Sequence, residues 1–263
     1  MRASASCPDL GIVVAMTAEA QALGAGSCRP GSSMSVRSGR VALAGVGGER
    51  AAAAAARLID AGARALLSWG VAGALAPRLE PGDLLLPSKV VTARRSWFVD
   101  AAWREAILEG LGSAHGGNLW CSAVPVGDVA QKRDLADRGM VAVDMESAAV
   151  AAVAARRGLP FIAIKSICDP ASRAVPAVAT DLLGIDGRLH LATLARALRA
   201  GPRAWRELNR LRIDHAAACR SLRDAARTLP ALGPRPAAPT RWPEPGCGQG
   251  QAGFGDVGRS AAQ

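Results

Sequence analysis

The sequence predicts an α/β fold, in which helices cover a β-sheet. Short apolar runs rich in Val, Ile and Leu alternate with alanine-rich segments long enough to form helices. The 263 residues, of which 50% are hydrophobic, suffice for one sizeable core. Aromatic residues make up only 3% and Tyr is absent. The core must therefore be built from Ala, Val, Leu and Ile.

The first predicted element is a buried-type strand over Leu10–Met16. A helix begins at Glu19, close behind this short apolar run, so the start predicts a strand rather than a signal peptide. A hairpin around Gly39 is predicted over residues 33–44. Glu19 therefore stands at the first strand-to-helix junction, where a capping carboxylate is the simplest interpretation.

Two glycine-rich stretches follow. Residues 45–50 precede a predicted helix over 51–63, and a strand over 65–67 runs into residues 68–75. A glycine-rich turn between a strand and a helix can hold an anion on its free N–H groups. Close backbone packing explains such glycines equally well.

The middle of the chain predicts strands at 84–87 and 90–91. Between residues 92 and 120 lie the aromatics Trp97, Phe98, Trp103 and Trp120. Clustered aromatics most often fill a core, but they can also form the rim of an apolar pocket.

Residues 141–170 are the most informative segment. A brief strand over 141–143 leads to Glu146 and to a helix over 147–157, and a second strand over 161–167 leads to Asp169, just past its end. Ligands of open α/β sheets bind at the carboxyl ends of strands. We therefore expect these two carboxylates to lie close together.

Composition excludes several classes of site. The six cysteines show no C-x-x-C spacing and the three histidines form no ligand motif, so no metal site and no disulfide framework are predicted. Reduced thiols are expected, as in a cytoplasmic protein. No apolar run reaches the roughly 18 residues that span a bilayer. The net charge of +10 could indicate nucleic acid, an anionic membrane, an anionic substrate or an arginine-rich proteome.

The C-terminal part changes character. Residues 189–229 predict two helical stretches joined near Gly201, with arginines spaced among Leu and Ala. Such a basic amphipathic helix is either a solvated face or a membrane-surface face. Residues 230–263 have few large apolar groups and predict a disordered tail. The expected division is a catalytic domain over 1–200, a basic helical extension over 201–229 and the tail over 230–263.

The segments Asp144-Met145-Glu146 and Cys168-Asp169 resemble two motifs of the nucleoside phosphorylase / methylthioadenosine–S-adenosylhomocysteine nucleosidase superfamily. The resemblance covers roughly residues 8–200 and implies a single three-layer domain with a central mixed β-sheet flanked by helices, plus C-terminal helices. It implies that Met145 packs on the ribose, that Glu146 binds the ribose hydroxyls and that Asp169 protonates the purine. Cys168 replaces the family's usual Ser, a change expected to loosen the orientation of Asp169.

Three further segments extend the resemblance. The pattern A-M-x-x-E at the end of the first strand implies that Glu19 activates water, as in the nucleosidase branch. The first glycine-rich stretch resembles a loop beside the ribose or phosphate, which places Gly47 at the substrate. The second resembles a loop that lines the base and sugar, which places Ala72 and Gly73 there.

The resemblance also bears on the acceptor. Where hexameric phosphorylases carry a phosphate-binding Arg and Ser, this chain has Ser68 and Val71. This favours water, although Arg50 could substitute as an anion ligand. The family's purine-stacking aromatic has no counterpart here, so Trp69 or Trp97 is expected to stack instead.

The short tryptophan-containing loop, the D-M-E-S motif and the basic C-terminal helices resemble the hopanoid-associated phosphorylase-like proteins, which release adenine from adenosylhopane. The implied activity is cleavage of the N-glycosidic bond of a 5′-substituted adenosine, without a cofactor, with water or phosphate as acceptor. Alternatives are a methylthioadenosine/S-adenosylhomocysteine nucleosidase, a phosphate-dependent purine nucleoside phosphorylase and a non-catalytic nucleoside-binding domain. We expect a homo-oligomer in the cytoplasm that could contact a membrane surface. No aromatic-plus-basic motif predicts a nucleic-acid partner.

Overall fold

The structure is a computed structural model that describes residues 9–26, 29–175 and 202–228. Its strands are β1 (Leu10–Val14), β2 (Ser33–Val36), β3 (Gly39–Leu43), β4 (Ala65–Ala74), β5 (Leu84–Leu85), β6 (Lys89–Val91), β7 (Ser96–Phe98), β8 (Asn118–Cys121), β9 (Met140–Asp144) and β10 (Phe161–Asp169). Its helices are α1 (Thr17–Ala22), α2 (Gly48–Asp60), α3 (Ala101–Leu111), α4 (Val129–Asp137), α5 (Ser147–Arg156) and α6 (Pro202–Thr228). The predicted α/β class is confirmed.

All ten strands belong to one mixed sheet, whose main path runs β2-β3-β1-β4-β9-β8-β6-β7. β4 pairs in parallel with β1 on one side and with β10 on the other. Its last residues pair antiparallel with β9, at Gly73↔Val143 and Ala74↔Ala142. The carboxyl ends of β1, β9 and β10 are therefore brought to the second half of β4.

β4 is longer than the sequence predicted. We expected a strand that ends at Leu67 and a loop over 68–75, but the strand continues to Ala74. Glycine normally weakens a strand interior, and it often marks a place where another group approaches the backbone closely. Gly70 and Gly73 occupy such places, so these glycines belong to the sheet rather than to a loop.

The core is built from small and branched apolar residues, as the composition predicted. α2 and α5 contact each other and lie on β1 and β4. Both helices bury alanines, including Ala54 and Ala55 of α2 and Ala151 and Ala154 of α5. Alanine lets the two helices approach closely without loss of helix propensity. α6 contacts β10, α1 and α3, and these helices complete the cover of the sheet.

The aromatic segment contains regular structure that was not predicted from the sequence. β7, α3 and β8 lie within residues 96–121. Trp103 is buried in the core, Trp97 and Trp120 are half-buried, and Phe98 is 51% exposed. The aromatics therefore do not form a single buried cluster.

α4 was also not predicted, although its start has a recognisable signal. The carboxylate of Asp128 accepts hydrogen bonds from the N–H groups of Ala130 and Gln131, at 2.8 and 3.0 Å. An Asp in the N-cap position satisfies N–H groups that the helix itself leaves unpaired. The helix buries Lys132 and Leu135.

α6 is one continuous helix of 27 residues. It buries Ala218, Leu222 and Ala225, and Asp214 forms an ion pair with Arg173. The first of the two predicted C-terminal stretches and the tail over 230–263 lie outside the described residues, so the domain division stays a prediction. Among the helices described, none is long and apolar enough to cross a membrane.

Candidate active site

Glu19 is held by backbone amides from two elements. Its Oε2 accepts from the N–H groups of Ala15 and Met16, at 2.8 and 2.9 Å, in the turn between β1 and α1. Its Oε1 accepts from the N–H of Val71 in β4, at 2.9 Å. The side chain is only 2% exposed. An ionised carboxylate has about four acceptor sites, so these three bonds fix Glu19 and leave acceptor capacity for a water.

Two glycines of β4 make room for two carboxylates. A Cβ atom on Gly70 would lie 2.4 Å from Oε1 of Glu19, and one on Gly73 would lie 2.9 Å from Oδ1 of Asp169. Gly73 is also the register partner of Asp169 between β4 and β10. Glu19 and Asp169 therefore lie against the same strand, three residues apart along it.

Asp169 is the last residue of β10, rather than a residue just past the strand's end as predicted. Its Oδ2 forms an ion pair with Nζ of Lys132, a side chain with no exposed surface. Its Oδ1 accepts a longer bond of 3.4 Å from the thiol of Cys168. Burial and the adjacent Asp169 carboxylate raise the pKa of the Cys168 thiol well above its usual value, so the thiol remains a donor.

Glu146 joins the start of α5 to the first glycine-rich stretch. Its Oε1 accepts from the N–H of Gly47 at 2.8 Å, and its Oε2 accepts from the N–H of Met145 at 3.2 Å. Gly47 has φ +108°, a backbone conformation that favours glycine. Met145 and Glu146 are both half-buried. The N–H of Gly47 that could have bound an anion is therefore engaged by Glu146.

A buried ion pair lies beside Glu146. Nζ of Lys165 lies 2.9 Å from Oδ2 of Asp144, which also accepts hydrogen bonds from the hydroxyl and N–H of Ser147. Burial lowers the pKa of Lys165, but Asp144, Glu146 and Glu19 together outweigh burial and raise it. Lys165 therefore stays cationic among three carboxylates.

The surroundings of Glu146 raise the pKa of its carboxyl group. Burial, followed by the charge of Asp144, raises its pKa from 4.5 to about 7. Lys165 and the N–H of Gly47 oppose this rise. A carboxylate whose pKa is raised by burial and a specific neighbouring charge is a typical feature of functional sites.

The structure brings together most of the residues that the sequence singled out. Gly47 and Met145 contact Glu146, and Gly73 lies against Asp169. Glu19 lies against the same strand as Asp169. Ala72 is a buried residue of β4, between the two carboxylate contacts. Trp69, one of the two residues expected to stack on the purine, is 1% exposed and belongs to the core cluster. The other, Trp97, is half-buried and remains the candidate for stacking.

The two lysines of the site were not predicted, although the composition of the chain carries a signal for them. The chain has 32 lysines and arginines, and only Lys89, Lys132 and Lys165 are lysines. An ammonium is a compact charge with three donors, whereas a guanidinium carries five donors on a larger plane. In an arginine-rich chain, each lysine could therefore have been read as a position that requires the smaller cation.

Within the described ranges, no group of three or more His, Cys, Asp or Glu side chains is arranged to hold a metal ion. The residues of the site described above offer carboxylates and ammonium groups. Carboxylates can take up or donate protons and can accept hydrogen bonds from hydroxyl groups.

Comparison with known proteins matches this chain to one family. Residues 9–200 match the phosphorylase superfamily. Comparison with curated protein sequences finds no significant match. Among solved structures, futalosine hydrolase of Helicobacter pylori is similar at 15% identity and a TM-score of 0.63, over 85% of this chain and 97% of that chain.

Two nucleosidases show a similar degree of likeness. The Campylobacter jejuni 5′-methylthioadenosine/S-adenosylhomocysteine nucleosidase has 17% identity and a TM-score of 0.61, over 86% of this chain and 98% of that chain. The Streptococcus pyogenes S-adenosylhomocysteine nucleosidase, in complex with 5-methylthiotubericidin, has 21% identity and a TM-score of 0.55, over 68% and 90%. At these identities the structural likeness shows the fold. With the family match over residues 9–200, the chain belongs to the phosphorylase superfamily, as an enzyme of the nucleosidase or pentosyltransferase type.

Proposed function

We propose that this enzyme hydrolyses the N-glycosidic bond of a 5′-substituted adenosine and releases adenine. The observation that carries the proposal is that Glu19 and Asp169 lie against the second half of β4, while Glu146 is close enough to Glu19 for their charges to interact. Glu19 contacts the N–H of Val71, and Asp169 lies against Gly73. A purely structural role would not require three carboxylates at one place, because like charges there must be stabilised by further groups.

The reaction assigns a separate task to each carboxylate. The C1′–N9 bond breaks and its electron pair goes to the purine, which takes a proton at N7 from Asp169. The oxygen of a water bonds to C1′, and Glu19 accepts the proton that this water loses. Glu146 binds the ribose hydroxyls while Met145 packs on the sugar. Each acid or base role typically contributes about 10²–10⁴ in rate.

Several polar groups of the site are already paired with other protein groups, which favours water over phosphate as the acceptor. Lys132 and Lys165 are both paired with carboxylates. The N–H of Gly47 binds Glu146, and the hydroxyl of Ser68 lies 2.9 Å from that of Ser147. Phosphate binding would require cationic or N–H ligands that are not already paired.

Adenosylhopane is the substrate we propose within this class. The short tryptophan-containing segment and the basic C-terminal helix carry the resemblance to the hopanoid-associated subgroup. Large apolar side chains are also exposed on the described surface, among them Phe98 at 51% and Val124 at 66%. Val124 follows β8, whose last residue Cys121 pairs with Asp144 beside the site. An apolar 5′-substituent would cover such surface.

A substrate of this kind would reside in a membrane, and we propose that α6 contacts the membrane surface. Trp205 and Ile213 are 50% and 52% exposed, and Arg212 is exposed between them. Arg212 and Ile213 follow Trp205 by seven and eight residues, which is about two helical turns. These three side chains therefore share one face of α6. A face with apolar and basic groups favours an anionic lipid surface. We also propose a homo-oligomer.

The test is adenine release from methylthioadenosine, S-adenosylhomocysteine, adenosine and a long-chain 5′-alkyl adenosine, each with and without phosphate. Phosphate-independent release from the alkyl nucleoside alone is the expected result. Release from methylthioadenosine or S-adenosylhomocysteine would assign the activity named for the solved relatives. Release that requires phosphate would make the enzyme a phosphorylase, and no release from any nucleoside would leave a binding domain.

A further inference from the structure

Lys132 is a fully buried cation whose donors are all used. Its Nζ donates to Oδ2 of Asp169 and to the carbonyl oxygens of Pro170 and Arg173, both at 3.0 Å. An ammonium has three N–H donors, so these three acceptors satisfy it. We propose that Lys132 is a positioning residue that acts through Asp169 in glycosidic-bond cleavage, an inference that rests on the proposed function.

The contacts of Asp169 show why its orientation depends on Lys132. Oδ2 is bound by the ammonium, whereas Oδ1 receives only the thiol of Cys168 at 3.4 Å. A thiol is a weak donor, so it holds a carboxylate less firmly than a hydroxyl would. The loosening expected from Cys168 is therefore offset by Lys132, a residue on a different element.

Lys132 also fixes the chain that follows Asp169. Two of its three acceptors are carbonyl groups of residues 170 and 173, directly after β10. Near the start of α4, Gly127 accepts at its carbonyl from the N–H of Val175, at 2.9 Å. The segment over 170–175 is thus bound to Lys132 of α4 and to Gly127, just before α4. These contacts hold the segment that directly follows Asp169 against α4.

The charge of Lys132 supports the reaction as well as the geometry. Asp169 must first take up a proton from solvent, and once it has given this proton to the departing purine, the negative charge that returns to Asp169 lies against an ammonium that is already in place. A preorganised charge in a water-excluded site stabilises a developing charge more than solvent does. Lys132 thereby lowers the barrier without contacting the substrate.

A double-mutant cycle tests this inference, with Lys132→Met, Asp169→Asn and the two changes combined. The third lysine, the half-buried Lys89 near the Phe98 ring, supplies the matched control Lys89→Met. The measurements are kcat and KM for the adenine nucleoside that the unaltered enzyme cleaves fastest. A second substrate, the 4-nitrophenyl β-D-riboside that carries the same 5′-substituent, has a leaving group that departs as a stable anion and needs no protonation. Thermal unfolding of each variant reports whether it is folded.

The expected result for Lys132→Met is a loss of about 10²-fold in kcat for the adenine nucleoside, with little change in KM. The loss of rate in the same variant should be far smaller on the nitrophenyl riboside. Adding Lys132→Met to Asp169→Asn should cause no further loss of rate. Lys89→Met should leave both rates unchanged. A purely structural role of Lys132 would instead lower the rates on both substrates equally.

Three outcomes would overturn the inference: a retained rate in a folded Lys132→Met variant, equal losses on both substrates, or a further loss when Lys132→Met is added to Asp169→Asn. If Lys132→Met does not fold because Asp169 is left unpaired, the combined variant buries neither charge. Its kcat should then equal that of Asp169→Asn, and a lower value would contradict the inference. No adenine release by the unaltered enzyme would remove the proposed function and this inference together, whereas a retained rate in folded Lys132→Met removes this inference alone.

Discussion

Asp169 is the residue on which the proposed chemistry depends most. Asp169→Asn is expected to lower kcat for adenine release by about 10²–10⁴-fold, because the amide cannot supply the proton. It should also lower the free energy of unfolding by about 3–5 kcal/mol, since Lys132 would remain buried without its counter-charge. The exposed Asp137 of α4 gives the control Asp137→Asn. Unchanged turnover in Asp169→Asn would exclude its role as the acid.

Glu146 gives a prediction that does not depend on knowing the substrate. Its pKa is about 7 in the folded protein and 4.5 as an ordinary Glu, so the folded protein binds this proton more tightly. The stability that this proton contributes is complete below pH of about 4.5 and is lost as the pH rises through about 7.

The unaltered protein should therefore lose up to about 3 kcal/mol of unfolding free energy relative to Glu146→Gln between pH 5 and pH 8. Denaturant unfolding across this pH range is the measurement. The exposed Glu105 of α3 supplies the control Glu105→Gln, whose difference from the unaltered protein should not follow the same course. A pH-independent difference for Glu146→Gln would show that Glu146 is ionised throughout.

At the scale of the element, β4 organises the site. Gly73→Ala would place a Cβ 2.9 Å from Oδ1 and 3.1 Å from Oδ2 of Asp169, so the carboxylate must move. A displacement of about 1 Å at a reacting group can cost about 10²-fold in rate, which is the loss we expect in kcat. Gly26→Ala is the control, because a Cβ there meets no atom within 4 Å. A folded Gly73→Ala variant with full activity would argue against Asp169 as a reacting group.

The elements also show how far sequence patterns reach. The strand and helix boundaries around Glu19 and Glu146 agree with the patterns within a few residues, because capping and periodicity are local signals. The predicted end of β4 was wrong. A glycine-rich strand and a glycine-rich loop have similar sequences, and only the carboxylates that lie against the strand distinguish them. α4 was missed although Asp128 marks its start.

At the scale of the whole molecule, the net charge of +10 and the exposed face of α6 predict binding to anionic vesicles. Trp205→Ser with Arg212→Gln should weaken co-sedimentation of the full chain with phosphatidylglycerol-containing vesicles by about 5-fold or more, since each basic group near such a surface contributes about 1 kcal/mol.

Arg94→Gln removes the same charge from an exposed loop and should have less effect. Binding of the unaltered protein should fall as the salt concentration rises and should be weak on phosphatidylcholine alone. Equal binding to both vesicle types, or no change in the double variant, would exclude this face as the contact.

The amino-acid sequence alone predicted the α/β class, the apolar composition of the core and the positions of Glu19, Glu146 and Asp169 at the ends of strands. These properties follow from local periodicity and from residues that begin or end helices. The groups that hold these carboxylates, in contrast, follow from the tertiary structure. Lys132 and Asp169 are 37 residues apart, and Gly47 and Glu146 are 99 apart. No local pattern encodes such pairs, because the partner of a buried charge depends on the register of the sheet and on the packing of helices against it.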